Sequence, residues 1–260
     1  MQAFAASLGY IGTPYHGWQW QRNLPTVQGE LEQALSQIAN QTVSVSAAGR
    51  TDRGVHATAQ IVAFQTSSVR DADTWKRGLN GLTPDTIQVN WVQPVANDFH
   101  PRYSALAREY TYLFSDRGAN DLFARGRSWV LPRRLDADLM HQAAQTLVGE
   151  HDFSSFRGAG CQSLTPMRRV NSCRVSRHGD VVAMTIEANA FVLHMVRNIA
   201  RGLIEVSELQ RTTHLAELLT QTDRNLLGPT APPEGLYFTN VLYSGQNFPS
   251  PAKPTVVTLA

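Results

Sequence analysis

Ala48-Gly49-Arg50-Thr51-Asp52-Arg53-Gly54-Val55-His56 is a charged stretch set between two alternating runs, Val43-Ser44-Val45-Ser46-Ala47 before it and Ala57-Thr58-Ala59-Gln60-Ile61-Val62-Ala63-Phe64 after it. Alternation with a period of two predicts a strand on each side, joined by a polar loop. Gly49 and Gly54 permit the positive φ angles that a tight loop needs. Asp52 stands between Arg50 and Arg53, a carboxylate that is ionised at neutral pH. One reading of the loop is a surface ion pair, worth little to stability. The other is a carboxylate held by arginine for nucleophilic or acid/base chemistry.

Working outward from that hairpin, residues 3–11 read as a strand. The loop Gly12-Thr13-Pro14-Tyr15-His16-Gly17-Trp18-Gln19-Trp20-Gln21 follows, with aromatic and amide side chains suited either to base stacking or to plugging a core. Val27, Leu31, Ala34, Leu35 and Ile38 mark a helix after Pro25. A second helix is predicted over residues 71–80 and a closing strand over 86–92. The order is β-α-β-β-α-β, a ferredoxin-like half with Asp52 between its two middle strands.

The same order recurs downstream without the same sequence. Strands are predicted over residues 103–115, 167–177, 181–187 and 235–243, with helices over 136–148 and from about Ala190 to Val206. The fold class is therefore α+β: two similar βαββαβ halves with mostly antiparallel sheets flanking a cleft. The halves are assigned to residues 1–103 and 104–245, and the proline-rich tail 246–260 reads as loosely ordered.

At 260 residues the chain is long enough to fold without a metal or disulfide. Cys161 and Cys173 lack zinc-type spacing and read as free thiols of a cytoplasmic protein. No apolar stretch reaches membrane length. The net charge is only +2, but of the 23 basic residues all except Lys76 and Lys253 are arginines, whose planar forks match phosphate and stack on bases. Arg157, Arg168, Arg169, Arg174 and Arg177 fall in a stretch with no acid. That basic middle on a near-neutral chain suggests an RNA-facing surface. Metal and nucleotide-loop signatures are absent: no histidine pair has i, i+4 spacing, and Gly158-Ala159-Gly160 has no lysine partner. These glycines are expected to let the arginine-rich loop bend around RNA.

Gly49-Arg50-Thr51-Asp52-x-Gly54-Val55-His56-Ala57 resembles the signature of the TruA family of tRNA pseudouridine synthases. The likeness continues through Gly17-Trp18-Gln19, Thr26-Val27-Gln28, Phe99-His100-x-Arg102, Arg108-Glu109-Tyr110-x-Tyr112, Gly149-Glu150-His151-Asp152-Phe153-Ser154-Ser155-Phe156, His194-Met195-Val196-Arg197-Asn198-Ile199 and Pro233-x-Gly235-Leu236. It implies a cytoplasmic homodimer that isomerises uridine at positions 38 to 40 in the anticodon arm of tRNA, without cofactor or metal. It also implies Asp52, Tyr110 and Arg197 as catalytic residues, with Leu236 under the uracil. The chain departs from the family pattern at Ile11, where an aspartate is usual, at Arg201, which replaces a glycine, and at Glu205-Val206-Ser207-Glu208, which lacks glycines.

The isomerisation breaks N1–C1′, turns the base and rejoins it through C5. An ionised Asp52 can attack C1′, attack C6 or remove a sugar proton to give a glycal, and the sequence does not choose. Arg50 is expected to hold the carboxylate or meet a phosphate. Tyr110 offers a ring for uracil and a hydroxyl for the C5 proton, or else packs with Tyr112. Arg197, in an otherwise apolar segment, is expected to be buried and paired with Asp52. Arg168 and Arg169 are expected on phosphate. A tRNA-binding chaperone and a nucleoside glycosidase are the alternatives; the second needs another carboxylate that no motif supplies.

Overall fold

The computed structural model describes residues 1–118 and 121–249, and these divide into two units: Met1–Leu106 with residues 238–249, and the described residues of Ala107–Tyr237. In the first unit β1 (Gln2–Tyr10) is central, β3 (His56–Thr66) lies antiparallel on one side and β4 (Ile87–Val95) antiparallel on the other; β2 (Val45–Ala47) pairs with β3. This interleaved order follows from two helical crossovers, α1 (Val27–Ala39) and α2 (Ala72–Leu82), which carry the chain over the sheet before each return. Both helices start where capping chemistry allows: the Thr26 side chain accepts from Gly29 N and the Asp71 side chain from Thr74 N. α1 buries Val27, Leu31, Ala34, Leu35 and Ala39, a stripe one side of the helix wide. Phe4 and Phe64, partners in register across β1 and β3, stack at 5.5 Å, and Trp75 of α2 meets Phe64 edge-on at 5.3 Å.

The second unit repeats the expected order with insertions. Its strands and helices are β5 (Ala105–Ser115), β6 (Trp129–Val130), α3 (Ala137–Ala144), β7 (Gly149–Asp152), β8 (Met167–His178), β9 (Val181–Ala188), α4 (Met195–Leu209), α5 (His214–Gln221) and β10 (Leu236–Tyr243), the last of which passes into the first unit. β5, β9, β8 and β7 are successive antiparallel neighbours, and β6 joins β5 in parallel. The α+β class with mostly antiparallel sheets is therefore observed.

Two helix boundaries differ from expectation. α3 stops at Ala144 and tightens into a 3-10 turn over Gln145–Leu147. α4 starts at Met195 rather than near Ala190, because His194 takes a left-handed backbone (φ 61°) and resets the chain direction. The apolar run Phe191-Val192-Leu193 is thus loop, with Phe191 edge-on to the Tyr110 ring at 5.0 Å.

Of the tail, Phe248 is packed: it stacks on Trp91 at 4.7 Å and meets Phe99 and Tyr243. Residues 250–260, which the expectation of a loose tail mainly concerned, lie outside the described residues. Among the described residues, no helix is long and apolar enough to cross a membrane.

Candidate active site

In the first unit the loop between β2 and β3 is fastened by alternate residues. Gly49 O accepts from Gln60 Nε2 at 2.7 Å, Thr51 Oγ1 meets the Tyr10 hydroxyl at 2.8 Å, and Thr51 O accepts from Trp18 N at 3.0 Å. Asp52 O accepts from Val55 N at 3.1 Å, closing a turn in which Gly54 has φ +81°. Thr51 and Val55 are buried, Arg50 and Arg53 are exposed, and Asp52 is half-buried.

The back of this loop is a backbone-on-backbone contact. A Cβ on Gly12 would lie 1.9 Å from Val55 O, and one on Gly17, at φ +94°, would lie 2.8 Å from Thr51 O. Only glycine permits that approach. Gly12 N also donates to His56 Nδ1 at 3.1 Å. Trp18, expected either on a base or in a core, is 2% exposed and belongs to the core, whereas Trp20 is exposed.

In the second unit Tyr110 lies on β5 opposite Ile186 of β9 and is half-buried. Tyr112 is fully buried; its hydroxyl donates to Pro232 O at 2.8 Å, and burial, with the Glu234 charge adding to it, pushes its phenol well above the usual range. Arg197 sits in the first turn of α4, half-buried, with Nε donating to Ala231 O at 2.7 Å. Leu236, 6% exposed, opens β10 just beyond. The segment 231–236 therefore gathers Arg197, Tyr112 and Leu236, and Gly235 lacks a Cβ where one would lie 2.6 Å from the Tyr112 ring. The preceding segment is held by Arg224, which donates to Leu227 O at 2.6 Å and Gly228 O at 3.0 Å, and from α4 by Asn198 Oδ1, which accepts from Thr230 Oγ1 at 2.8 Å. Arg201, the residue in place of the family's glycine, donates to Glu205 at 2.8 Å, and both side chains crowd the Cβ position of Gly228.

The two neighbouring arginines expected on phosphate have different surroundings. Arg169 is exposed on β8. Arg168 is 8% exposed, and its guanidinium donates to Thr165 O at 2.9 Å, to Met167 O at 2.5 Å and to Ser163 Oγ. Arg157 likewise donates to Cys161 O at 2.9 Å and Ser163 O at 2.7 Å. These two arginines brace their own loop through backbone carbonyls and Ser163, and burial sets Arg168 apart from the exposed Arg169. Among the described residues no group of three or more His, Cys, Asp or Glu side chains is arranged to hold a metal ion.

Residues 6–104 and 143–244 match the family described as tRNA pseudouridine synthase. The chain is 48% identical over 241 residues to tRNA pseudouridine synthase A of Aliivibrio salmonicida, covering 92% of each chain. It is 48% identical over 250 residues to that of Pasteurella multocida, covering 93% of this chain and 92% of that one. Against that of Hydrogenovibrio crunogenus it is 46% identical over 244 residues, covering 94% and 93%. The chain belongs to the tRNA pseudouridine synthase family.

Proposed function

We propose that this protein isomerises uridine to pseudouridine in the anticodon arm of tRNA, at positions 38 to 40, with Asp52 as the catalytic carboxylate. The observation that carries this reading is the loop itself. Gly49 O, Thr51 Oγ1 and Thr51 O are each tied to residues outside the loop, Gln60, Tyr10 and Trp18, while Arg50 and Arg53 are exposed and Asp52 is half-buried. A mere surface turn has no need of such a clamp.

The reaction conserves mass: N1–C1′ breaks, C5–C1′ forms, the C5 proton is lost and N1 gains one. Attack at C1′, attack at C6 and removal of a sugar proton all start from the ionised Asp52 carboxylate acting on a nucleotide turned out of its stack. Tyr110 supplies a ring against uracil and a hydroxyl for the C5 proton. Arg197 supplies positive charge for the anionic stages, and Leu236 an apolar floor for the base. Exposed Arg50 and Arg169 take phosphates. The protein acts as a homodimer, each tRNA touching both subunits; sedimentation at micromolar concentration checks this, and a fully active monomer refutes it.

The test is tRNA carrying tritium at C5 of uridine. The isomerase releases tritium to water from an intact strand, and mapping places the product at positions 38 to 40. Free uracil instead would make the protein a glycosidase, and tight binding without release a chaperone.

A further inference from the structure

Under the candidate catalytic loop lies a set of buried polar side chains that the sequence motif does not reveal. Tyr10 is 4% exposed, Thr51 7% and Gln60 0%. They come from three places in the chain: the end of β1, the loop and the middle of β3. The Tyr10 hydroxyl and Thr51 Oγ1 are 2.8 Å apart, and Gln60 Nε2 donates to Gly49 O at 2.7 Å. Burial pushes the Tyr10 phenol up to about 12, outweighing the hydrogen bonding that would lower it, so Tyr10 stays uncharged near neutral pH.

Three polar side chains buried together give low stability for their cost unless each finds its partner. What they do here is geometric. Gln60 fixes the backbone one residue before Arg50, and Tyr10 fixes the residue between Arg50 and Asp52. Thr51 is held at both ends, by Tyr10 through its hydroxyl and by Trp18 N through its carbonyl. Thr51 is thus tied through both side chain and backbone, and the peptide that carries Asp52 inherits that restraint.

We propose that Tyr10, Thr51 and Gln60 form a positioning set for Asp52, with Thr51 as the residue that sets the direction of the carboxylate. This inference rests on the reading of Asp52 as the catalytic group. Its consequence is a loss confined to turnover: a carboxylate displaced by about an ångström costs on the order of a hundredfold in rate, while phosphate contacts and hence tRNA affinity stay as they were.

The experiment compares Thr51→Val, which keeps the shape and removes the hydroxyl, with Thr51→Ser, which restores it, and with Tyr10→Phe. Asp52→Asn serves as reference. Melting temperature, tRNA affinity, KM and kcat for tritium release are measured on the full-length protein, with kcat expressed per folded molecule. Thr51→Val and Tyr10→Phe are each expected to lower kcat by about 10- to 100-fold with KM and affinity within about twofold, and Thr51→Ser to recover to within about threefold of wild type. The double variant Thr51→Val with Tyr10→Phe should lose little more than either single one, because both remove the same bond. Wild-type kcat in folded Thr51→Val and Tyr10→Phe, beside an inactive Asp52→Asn, would overturn the positioning role alone. Additive losses in the double variant would overturn the shared bond as its cause. Should Thr51→Val not fold, Tyr10→Phe with Thr51→Ser decides: full kcat in Tyr10→Phe overturns the proposal. An active Asp52→Asn would instead remove the underlying reading of the site.

Discussion

The second unit follows the strand and helix order of the first with added elements, and each unit places an aspartate beside arginines in a connection between antiparallel strands, β2–β3 in the first and β8–β9 in the second. In the first, residues 48–55 separate β2 from β3 and carry Asp52. In the second, β8 ends at His178 and β9 begins at its partner Val181, leaving only Gly179 and Asp180 to turn the chain. Asp180 is half exposed and pairs with Arg134 at 3.0 Å and Arg117 at 3.8 Å, the kind of surface pair that contributes little. Asp52 differs in what holds the backbone beneath it: Tyr10, Gly12, Gly17, Trp18 and Gln60 all converge on its loop. An aspartate next to an arginine in a hairpin thus carries no functional meaning alone. What sets the Asp52 loop apart is its added length and the clamp from distant residues.

The ionic strength of the second unit lies deeper, at Asp116. Its buried side chain accepts from Arg177 at 2.7 Å and from Leu135 N at 2.9 Å, with Arg134 at 3.5 Å. Burial alone would raise this carboxyl; the Arg177 and Leu135 hydrogen bonds and the arginine charges outweigh it and hold it below its ordinary value of 3.8. A depressed folded-state value means stability that is fully present above the unfolded value and lost as the pH falls through the folded one. Asp116→Asn is expected to leave Arg177 under-compensated, at a cost of about 3–5 kcal/mol and a fall in Tm of roughly 6–15 °C. It should also flatten the acid limb of stability below about pH 4, with turnover per folded molecule unchanged. Thermal unfolding across pH, read beside activity, checks this.

Gly17→Ala is the mirror image of that variant. Its methyl group falls on Thr51 O at a positive φ, so the loop must shift; kcat is expected to drop by about 10- to 100-fold, roughly 1.4–2.7 kcal/mol of barrier, with a smaller effect on Tm. If Asp116→Asn lowered turnover and Gly17→Ala lowered only stability, the division of labour between the two regions would be reversed. Arg169→Ala should reduce the dependence of log tRNA affinity on log salt by about one, visible in a salt titration. Arg168→Ala should leave that slope alone and lower Tm instead. The smallest effect is expected at Asp180→Asn: within about 0.5 kcal/mol in stability and no change in tritium release.

What was legible in the sequence was local. Strand alternation, the helix starts after Pro25 and near residue 71, and the glycine-bounded loop around Asp52 all depend on near neighbours, and each lies close to where it was expected. Contacts made across long separations were not legible. Tyr10 and Thr51 are 41 residues apart, and the one available signal for the buried set was Gln60, a large amide in a strand segment rich in apolar residues. The surroundings of Arg168 were not legible for a similar reason: its acceptors are carbonyls that face it only once its loop has folded. The start of α4 was missed because three apolar residues in a row suit helix or loop equally, and the left-handed turn at His194 decided the matter.

The central claim is that the Asp52 carboxylate performs the isomerisation. Asp52→Asn keeps the shape and removes the charge, so the variant can neither attack carbon nor take a proton. The decisive measurement is tritium release from C5-labelled tRNA by this variant, with Tm and tRNA affinity recorded on the same preparation. The expected result is a folded protein that binds tRNA about as well as wild type and turns over several orders of magnitude more slowly. A folded, tRNA-binding Asp52→Asn protein that still releases tritium at more than about a tenth of the wild-type rate, a barrier change under roughly 1.4 kcal/mol, would contradict it.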